Sequence, residues 1–402
     1  MAQDADSSGD EMNSYQDLSF ETKAIHAGQE FEKWSHSEVV PPIVTTMTFA
    51  QEDPTIISLL STAHTYGRFG NPTRSTLEKC IAALDNTNYA LTFTSGCAAI
   101  HALLHLLKSG DHIVSSNEQF GPDAVLEDFC KATGVEVDFV DSTVLKQIED
   151  AIKPNTKMIW IMTPSNPRLR YSDVASIAKI AHSHPNIILA VDNTFLTPYF
   201  LRALDLGADI VMYSLTKYLN GHNDVMGGAL TFLSEELYKK VKYYQAAFGI
   251  ALSPFDCYLT NRGLKTLALR MQKHSDNGIA IARYLQSHPM VSKVMHPVLP
   301  SHPDHELAMT QCSGYSSIVS FEIKGTLKEA KKFVQSLQII QSCGSLGSYA
   351  SFAMLPIAQL FSGKEAWYKL GVHENLIRFS AGLENADDLI KDMEQSFDKT
   401  YQ

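Results

Sequence analysis

The 402-residue sequence lacks the features that would assign it to a membrane, to nucleic acid or to a disulfide scaffold. No apolar run approaches the roughly 20 residues that a membrane helix needs. No basic block occurs, and the net charge of −11 argues against a nucleic-acid partner, whose phosphates must be neutralised by Lys and Arg. The six cysteines are scattered without a CxxC pair, which favours free thiols in a reducing compartment over disulfides or a metal site.

The first 18 residues are polar and rich in serine, and they contain a set of acidic side chains: Asp4, Asp6, Asp10, Glu11 and Asp17. Secretory signals and transit peptides avoid acidic residues. The composition is typical of a disordered segment. Because these acidic residues disfavour a targeting signal, we predict a cytoplasmic protein.

The chain is long enough for two domains. Residues 1–68 show no regular alternation of strands and helices and contain Pro41, Pro42 and Pro54, so we interpret them as a disordered N-terminus followed by an extended arm. An arm this long would be unusual inside a compact domain, and packing on a neighbouring subunit would explain it. We therefore expect a large domain at residues 69–262 and a small domain at residues 263–402.

Short apolar runs alternate with amphipathic stretches across the large domain, as in a mostly parallel β-sheet with helices on both faces. The predicted strands are residues 90–94, 112–115, 135–140, 157–162, 187–191, 209–213 and 228–232. Beyond residue 262, a long helix over 266–287 is followed by strands at 291–295, 316–323 and 376–380 and helices at 327–337 and 386–396. The sequence thus predicts an α/β fold with a smaller C-terminal α+β domain.

Two residues at the ends of predicted strands indicate a cofactor. Lys217 closely follows Ser214 and Thr216, whose hydroxyl groups could hold a phosphate. Asp192 ends the preceding strand, so it and Lys217 should reach the same edge of the sheet, where open α/β sheets bind ligands. Pyridoxal 5′-phosphate (PLP) requires a lysine that forms a Schiff base, and a carboxylate can pair with its pyridinium nitrogen.

A third segment could bind the phosphate of the same cofactor. Ser95, Gly96 and Cys97 follow a predicted strand and open a helix, where backbone N–H groups attract anions and small residues allow close approach. Many strand-to-helix turns have this composition, so alone it favours a plain turn. The segment indicates a phosphate site only together with Ser214 and Thr216, which could bind the same phosphate.

With these motifs in place, the chain resembles the Cys/Met-metabolism family of fold-type I PLP enzymes from about residue 22 to residue 397. The resemblance is carried by motifs in the family's order and spacing, namely residues 66–73 (YGRFGNPT), 191–194 (VDNT), 213–218 (YSLTKY), 221–222 (GH) and 345–347 (SLG). Residues 261–267 and 299–303 are most similar to the animal cystathionine γ-lyases within that family.

The resemblance implies a role for each site residue. Lys217 would bind PLP covalently and move protons, and Asp192 would pair with the ring nitrogen. The remaining cofactor contacts would be Gly96, Cys97, Ser214 and Thr216 to the phosphate, Tyr66 and Arg68 to the phosphate of the neighbouring subunit, and Asn166 to the phenolic oxygen. Arg378 would bind the substrate α-carboxylate with help from Ser345. The expected assembly is a homotetramer of two tight dimers.

The sequence departs from the family at positions that we expect around the substrate. Phe120 replaces a tyrosine that stacks on the PLP ring; it keeps the stacking but cannot exchange a proton. Val125 replaces an arginine, Met162 a glutamate, and Gly344 a residue that is often glutamate. Residues 350–356 lack a Glu-Ser pair, and Leu360 and Phe361 replace Thr-His.

These substitutions leave several functions open. The leading prediction is a carbon–sulfur lyase of the cystathionine γ-lyase type that acts on a smaller or more apolar amino acid than cystathionine. Compensating residues could instead preserve cystathionine binding. Replacement at the γ-carbon of an activated homoserine, a weakly active or silent PLP-binding relative, and an aminotransferase on the same fold are the alternatives.

Overall fold

The computed structural model describes residues 15, 17–50, 64–119, 121–358 and 364–402. Most of the predicted disordered N-terminus and part of the predicted arm therefore lie outside the described residues, as do Phe120, Leu360 and Phe361. The domain boundaries at residues 68 and 262 remain predictions.

A seven-stranded sheet lies between residues 89 and 232, with strand order β1-β7-β6-β5-β4-β2-β3. Its strands are β1 (Tyr89–Phe93), β2 (His112–Ser116), β3 (Glu136–Val140), β4 (Thr156–Met162), β5 (Ile188–Asp192), β6 (Ile210–Ser214) and β7 (Gly228–Phe232). All neighbouring pairs are parallel except those of β7, which runs against both β1 and β6. The predicted mostly parallel sheet is confirmed.

Both faces of this sheet are buried. In β4, Ile159 and Ile161 belong to one apolar cluster, whereas Met158 and Trp160 belong to a second cluster on the opposite face. This alternation follows from the two-residue period of a strand. A strand that is buried on both faces is apolar at nearly every position, which is why these strands are recognisable in the sequence.

Helices pack on both faces of the large sheet and against the strands beyond residue 290. They are α1 (Phe20–His26), α2 (Pro72–Leu84), α3 (Gly96–Leu104), α4 (Pro122–Thr133), α5 (Leu145–Ala151), α6 (Val174–His182), α7 (Thr197–Phe200), α8 (Glu235–Phe248), α9 (Pro254–Leu264), α10 (Leu267–Ser287), α11 (His305–Gln311), α12 (Leu327–Ser336), α13 (Lys364–Lys369) and α14 (Ala386–Tyr401). Short 3-10 helices occupy Phe31–Lys33, Leu204–Leu206 and Pro356–Ala358.

Helix starts follow local side-chain chemistry. Asn71 caps α2 by accepting a hydrogen bond from the Arg74 amide, and Pro72 occupies the first helical position, where no backbone donor is needed. Thr326 and Glu329 form a reciprocal capping box at α12. These capping residues fix where the chain turns from strand to helix.

A second, five-stranded sheet has the order β10-β11-β12-β9-β8. Its strands are β8 (Val291–Met295), β9 (Ile318–Ile323), β10 (Gln341–Ser342), β11 (Phe352–Met354) and β12 (Leu376–Ser380). The sequence did not predict β10 and β11, because strands of two and three residues give too few alternating positions to recognise. These two strands matter, because the segment between them contains Ser345.

Candidate active site

Lys217 lies directly beyond β6, in a π turn over Leu215–Leu219 where its own backbone departs from helical geometry (φ −94°, ψ −132°). Its Nζ donates a hydrogen bond to Ser345 Oγ at 2.9 Å. Burial, with a contribution from the positive charge of Arg378, lowers the pKa of Lys217 to about 8. A substantial fraction of this amine is therefore neutral, and hence nucleophilic, close to neutral pH.

Asp192 is the last residue of β5 and is 4% exposed. It pairs in register with Met162 of β4 and Met212 of β6, so two methionines flank it on the neighbouring strands. Burial raises the pKa of Asp192 to about 6, and a hydrogen bond from the Thr194 amide to Oδ1 (2.9 Å) opposes the shift. A carboxylate in such a place favours a cationic partner, because desolvation otherwise disfavours its charge.

The opening of α3 faces the end of β6. Ser95 caps the helix by accepting from the Ala98 amide at 3.0 Å. A Cβ added to Gly96 would lie 2.9 Å from Met212 Cε and 3.6 Å from Ser214 Oγ. The absent side chain therefore lets the first amides of the helix lie beside Ser214, as an anion site at a helix N-terminus requires.

Beneath this opening, the backbone of β7 lies very close to Ser95, the residue that caps α3. A Cβ added to Gly228 would lie 2.4 Å from the Ser95 carbonyl oxygen. Next to it, the Thr216 hydroxyl accepts from the Gly227 amide at 3.0 Å and donates to the Gly227 carbonyl at 3.3 Å. Thr216 can therefore donate to a phosphate only if its hydroxyl turns away from Gly227.

These residues fit PLP. The buried amine of Lys217 suits covalent attachment, and Asp192 offers a buried carboxylate for the ring nitrogen. The Gly96 opening, which a Cβ would fill, offers amide donors and the Ser214 hydroxyl for a phosphate. Cys97 is exposed in the first turn of α3, where it can contribute its amide.

Arg378 lies on β12 and is 2% exposed, so burial lowers its pKa to about 10. Its Nη1 donates to Asn166 Oδ1 at 3.2 Å, and its Nη2 donates to the carbonyls of Gly344 and Ser345 at 2.9 and 3.1 Å. Lys217, Ser345, Arg378 and Asn166 thus form one connected group. The group joins the edge of the large sheet to the second sheet.

The arm residues Tyr66 and Arg68 are placed apart from this group. Tyr66 is 43% exposed and forms an isolated bridge with Thr48. The Arg68 guanidinium lies 4.6 Å from the centre of the Phe69 ring and donates to the Ala246 carbonyl at 2.8 Å. Within one chain, Arg68 therefore binds the last turn of α8, and its predicted contact with a neighbouring subunit is not tested by this arrangement.

The substituted positions differ in their surroundings. Met162 pairs in register with Asp192 across β4 and β5, and its predicted place around the substrate stays a prediction. Val125 is partly buried and packs against the apolar cluster between the sheet and α3–α4. Gly344 is exposed and offers its carbonyl to Arg378.

Sequence reasoning missed a buried ion pair beside Asn166. Glu118 follows β2, and its carboxylate accepts hydrogen bonds from the amide, Nε and Nη2 of Arg168. The two residues are 50 positions apart, so no local pattern links them. The only available signal was that each follows a predicted strand.

Two classes of site are absent from the described part of the chain. None of its helices is sufficiently long and apolar to cross a bilayer. Nowhere in this part of the chain do three His, Cys, Asp or Glu side chains lie together in a group that could hold a metal ion. All six cysteines are free thiols.

Comparisons with known proteins agree with this geometry. The family model described as "Cys/Met metabolism PLP-dependent enzyme" matches residues 21–398. The chain is 47% identical to cystathionine γ-lyase of Sus scrofa and 46% identical to that of Homo sapiens, in each case over 94% of this chain and 93% of the relative. Among solved structures, cystathionine γ-lyase from Lactobacillus plantarum, complexed with L-serine, is 37% identical, with a TM-score of 0.91 over 96% of this chain and 100% of the other.

Proposed function

Because this chain belongs to the Cys/Met metabolism family of PLP-dependent enzymes, it is a lyase of sulfur amino-acid metabolism, and we propose a specific reaction and substrate preference for it. The reaction is elimination or replacement at the γ- or β-carbon of an amino acid, and elimination releases a 2-oxo acid and ammonia. The preferred substrate is smaller or more apolar than cystathionine. The observation that carries the proposal is the buried Lys217 amine beside Ser345 and Arg378.

The residues that hold the cofactor are those of the sheet edge. Lys217 would bind it through Nζ, Asp192 would pair with the ring nitrogen, and Asn166 would contact the phenolic oxygen. The phosphate contacts are Gly96, Cys97, Ser214 and Thr216, joined by Tyr66 and Arg68 of a neighbouring subunit. Bound PLP supplies an electron sink that stabilises negative charge at the substrate α-carbon.

The chain's own groups bind the amino acid and move its protons. Arg378 presents a guanidinium fixed by Asn166, Gly344 and Ser345, which suits a substrate α-carboxylate. Ser345 holds the Lys217 amine within 2.9 Å of its hydroxyl. With a pKa near 8, that amine can both accept a proton from carbon and return it, as a general acid–base requires.

The substrate preference rests on the substituted positions. Val125 is apolar and packs against the core, and Gly344 has no side chain, so neither can bind a distal carboxylate or ammonium group. Losing a charged partner to a substrate carboxylate costs on the order of 2–5 kcal/mol, or more than tenfold in binding. A smaller or uncharged leaving group avoids that loss.

The test is product analysis with the purified holoenzyme. Cystathionine, cysteine, homocysteine and O-acylated homoserines are supplied in turn, and 2-oxo acid, ammonia and released thiol are measured. We expect kcat/KM to be higher for an O-acylated homoserine or for cysteine than for cystathionine. Cystathionine emerging as the best substrate would overturn the preference and leave the lyase assignment in place.

Two alternatives are resolved by the same panel. Replacement at the γ-carbon gives a new thioether and no ammonia when a thiol is added. A silent PLP-binding relative, which the loss of a proton-exchanging group at Phe120 favours, gives no change in cofactor absorbance and no product from any amino acid.

Assembly and location are further parts of the proposal. Val39, Val40 and Met47 in the arm region are 83%, 56% and 45% exposed in a single chain, which supports packing of this segment on a second copy. We expect a homotetramer. The free cysteines support the cytoplasm as its compartment. Light scattering and cell fractionation test the two points separately.

A further inference from the structure

The Glu118–Arg168 ion pair lies near the site, with a buried carboxylate and a partly buried guanidinium. Glu118 is 3% exposed. Its Oε1 accepts from the Arg168 amide at 2.8 Å and from Nε at 3.1 Å, while Oε2 accepts from Nη2 at 2.9 Å. One arginine thus satisfies both oxygens through its backbone and the fork of its side chain, a geometry that fixes the direction of the pair.

The Glu118 end of the pair is anchored to the large sheet. Gln119 is fully buried; its Nε2 donates to Ser115 Oγ and the Ser116 carbonyl, and its Oε1 accepts from Trp160 Nε1 at 2.6 Å. Ser115 and Ser116 belong to β2, and Trp160 belongs to the adjacent β4. The segment that contains Glu118 therefore cannot shift without breaking bonds inside the sheet.

The Arg168 end belongs to the loop after β4, which also contains Asn166. An isolated bridge joins Gln119 to Asn166, alongside the ion pair. Asn166 Oδ1 in turn accepts from Arg378 Nη1 at 3.2 Å. Contacts thus run from the sheet through Gln119 and Asn166 to the guanidinium of Arg378, and the Glu118–Arg168 pair joins the same two segments beside this route.

We propose that Glu118 and Arg168 are positioning residues for the substrate carboxylate: they hold Asn166 in the place where it aligns the Arg378 guanidinium. The proposal rests on the function proposed above, in which Arg378 binds the amino acid. Because Glu118 neutralises Arg168, the pair adds no net charge to the site. Its effect on substrate is therefore geometric, and small displacements at such contacts cost about tenfold or more.

The competing explanation is that the Glu118–Arg168 pair only stabilises the folded loop and has no effect on the alignment of Arg378. The loop has a second anchor, in which Arg170 Nε and Nη2 donate to the two oxygens of Asp304 at 2.6 and 3.2 Å. This anchor keeps the loop attached when the first pair is removed. The two explanations therefore predict different behaviour in folded variants.

The experiment uses the holoenzyme and three variants: Glu118→Gln, Arg168→Met and the double substitution, which has the same net charge as the parent. Lys146→Met, in the exposed Lys146–Asp150 pair, is the control for the loss of one positive charge in Arg168→Met. L-homoserine and its decarboxylated counterpart 3-amino-1-propanol are titrated against the absorbance of the bound cofactor. The PLP dissociation constant and Tm are measured in parallel.

We expect the dissociation constant of L-homoserine to rise about tenfold in each variant, while that of the amine, which has no carboxylate, stays within about twofold. Arg168→Lys should recover part of the loss, since it restores the charge without the fork. A parallel loss of amine binding and Tm shows that the pair only stabilises the fold and overturns the proposal, as does unchanged homoserine binding. Because Asn166 is also assigned to the cofactor, both ligands are compared at saturating PLP. If the parent holoenzyme responds to no amino acid, the proposed function itself has failed.

Discussion

The edge of the large sheet and the facing segment of the small domain contribute to one site, yet they differ in what the sequence keeps. On the sheet side lie the buried Lys217 amine, the buried Asp192 carboxylate and the α3 opening, groups that suit PLP. On the other side, Arg378 and Ser345 are retained but Gly344 lacks a side chain. The sheet edge and the facing segment are thus two units of one connected group, and we predict that recognition can change while the chemistry stays.

The boundary between these units does not coincide with the boundary between substituted and matching positions. Met162 is substituted, yet it lies next to Asp192 in the sheet register. We predict that this substitution affects the surroundings of Asp192 more than the choice of substrate. The comparison can be tested by removing groups from one side and restoring groups on the other.

Removing the amine should have the largest effect. We expect Lys217→Ala to lower kcat by about three orders of magnitude or more, because it removes both the covalent attachment and the acid–base group. Product release and the absorbance of protein-bound PLP after gel filtration are the measurements. Lys146→Ala, at an exposed position, should behave as the parent. Retained activity together with retained covalent PLP would contradict the assignment.

Removing the carboxylate beside the ring nitrogen should come next. Asp192→Asn keeps the shape of the side chain but loses its charge, so we expect kcat to fall about a hundredfold with little change in KM. Steady-state kinetics check this, with Asp150→Asn as the exposed control. A change confined to KM would show that Asp192 serves substrate binding.

Restoring charged side chains around the substrate should shift the preference of the enzyme towards cystathionine. We expect Gly344→Glu combined with Val125→Arg to raise the ratio of kcat/KM for cystathionine over that for an O-acylated homoserine about tenfold. PLP affinity should stay constant, because neither residue belongs to the sheet edge. An unchanged ratio would indicate that other residues determine the preference.

The smallest expected effect concerns pH. The neutral amine of Lys217 is the reactive form, and its pKa is lowered to about 8. The rate at which cofactor-free protein takes up PLP should therefore rise as pH increases from 7 to 9 and then level off. Burial is the main cause of the lowered pKa and the charge of Arg378 the second, so Arg378→Met should move this rise to higher pH. Stopped-flow absorbance measures it, and a rate that falls across this range would refute it.

Much of the fold was predictable because most strands of the large sheet are buried on both faces, although β3 at its edge is only partly buried. The sequence indicated them from continuous apolar runs, whereas β10 and β11 were too short to detect. Lys217 and Asp192 were recognisable because each follows such a run. The contacts around them were not. The resemblance named Arg378 and Asn166, but their hydrogen bond joins residues 212 positions apart, and the pairing of Glu118 with Arg168 depends on two loops meeting in space.

Gly228 shows how the site constrains positions that have no chemistry of their own. Its backbone lies against the Ser95 carbonyl with no room for a methyl group. In a library of random substitutions, this glycine should therefore tolerate replacement as poorly as the reactive lysine does. The reason is steric rather than chemical, and screens for lost activity alone would place the two in the same class.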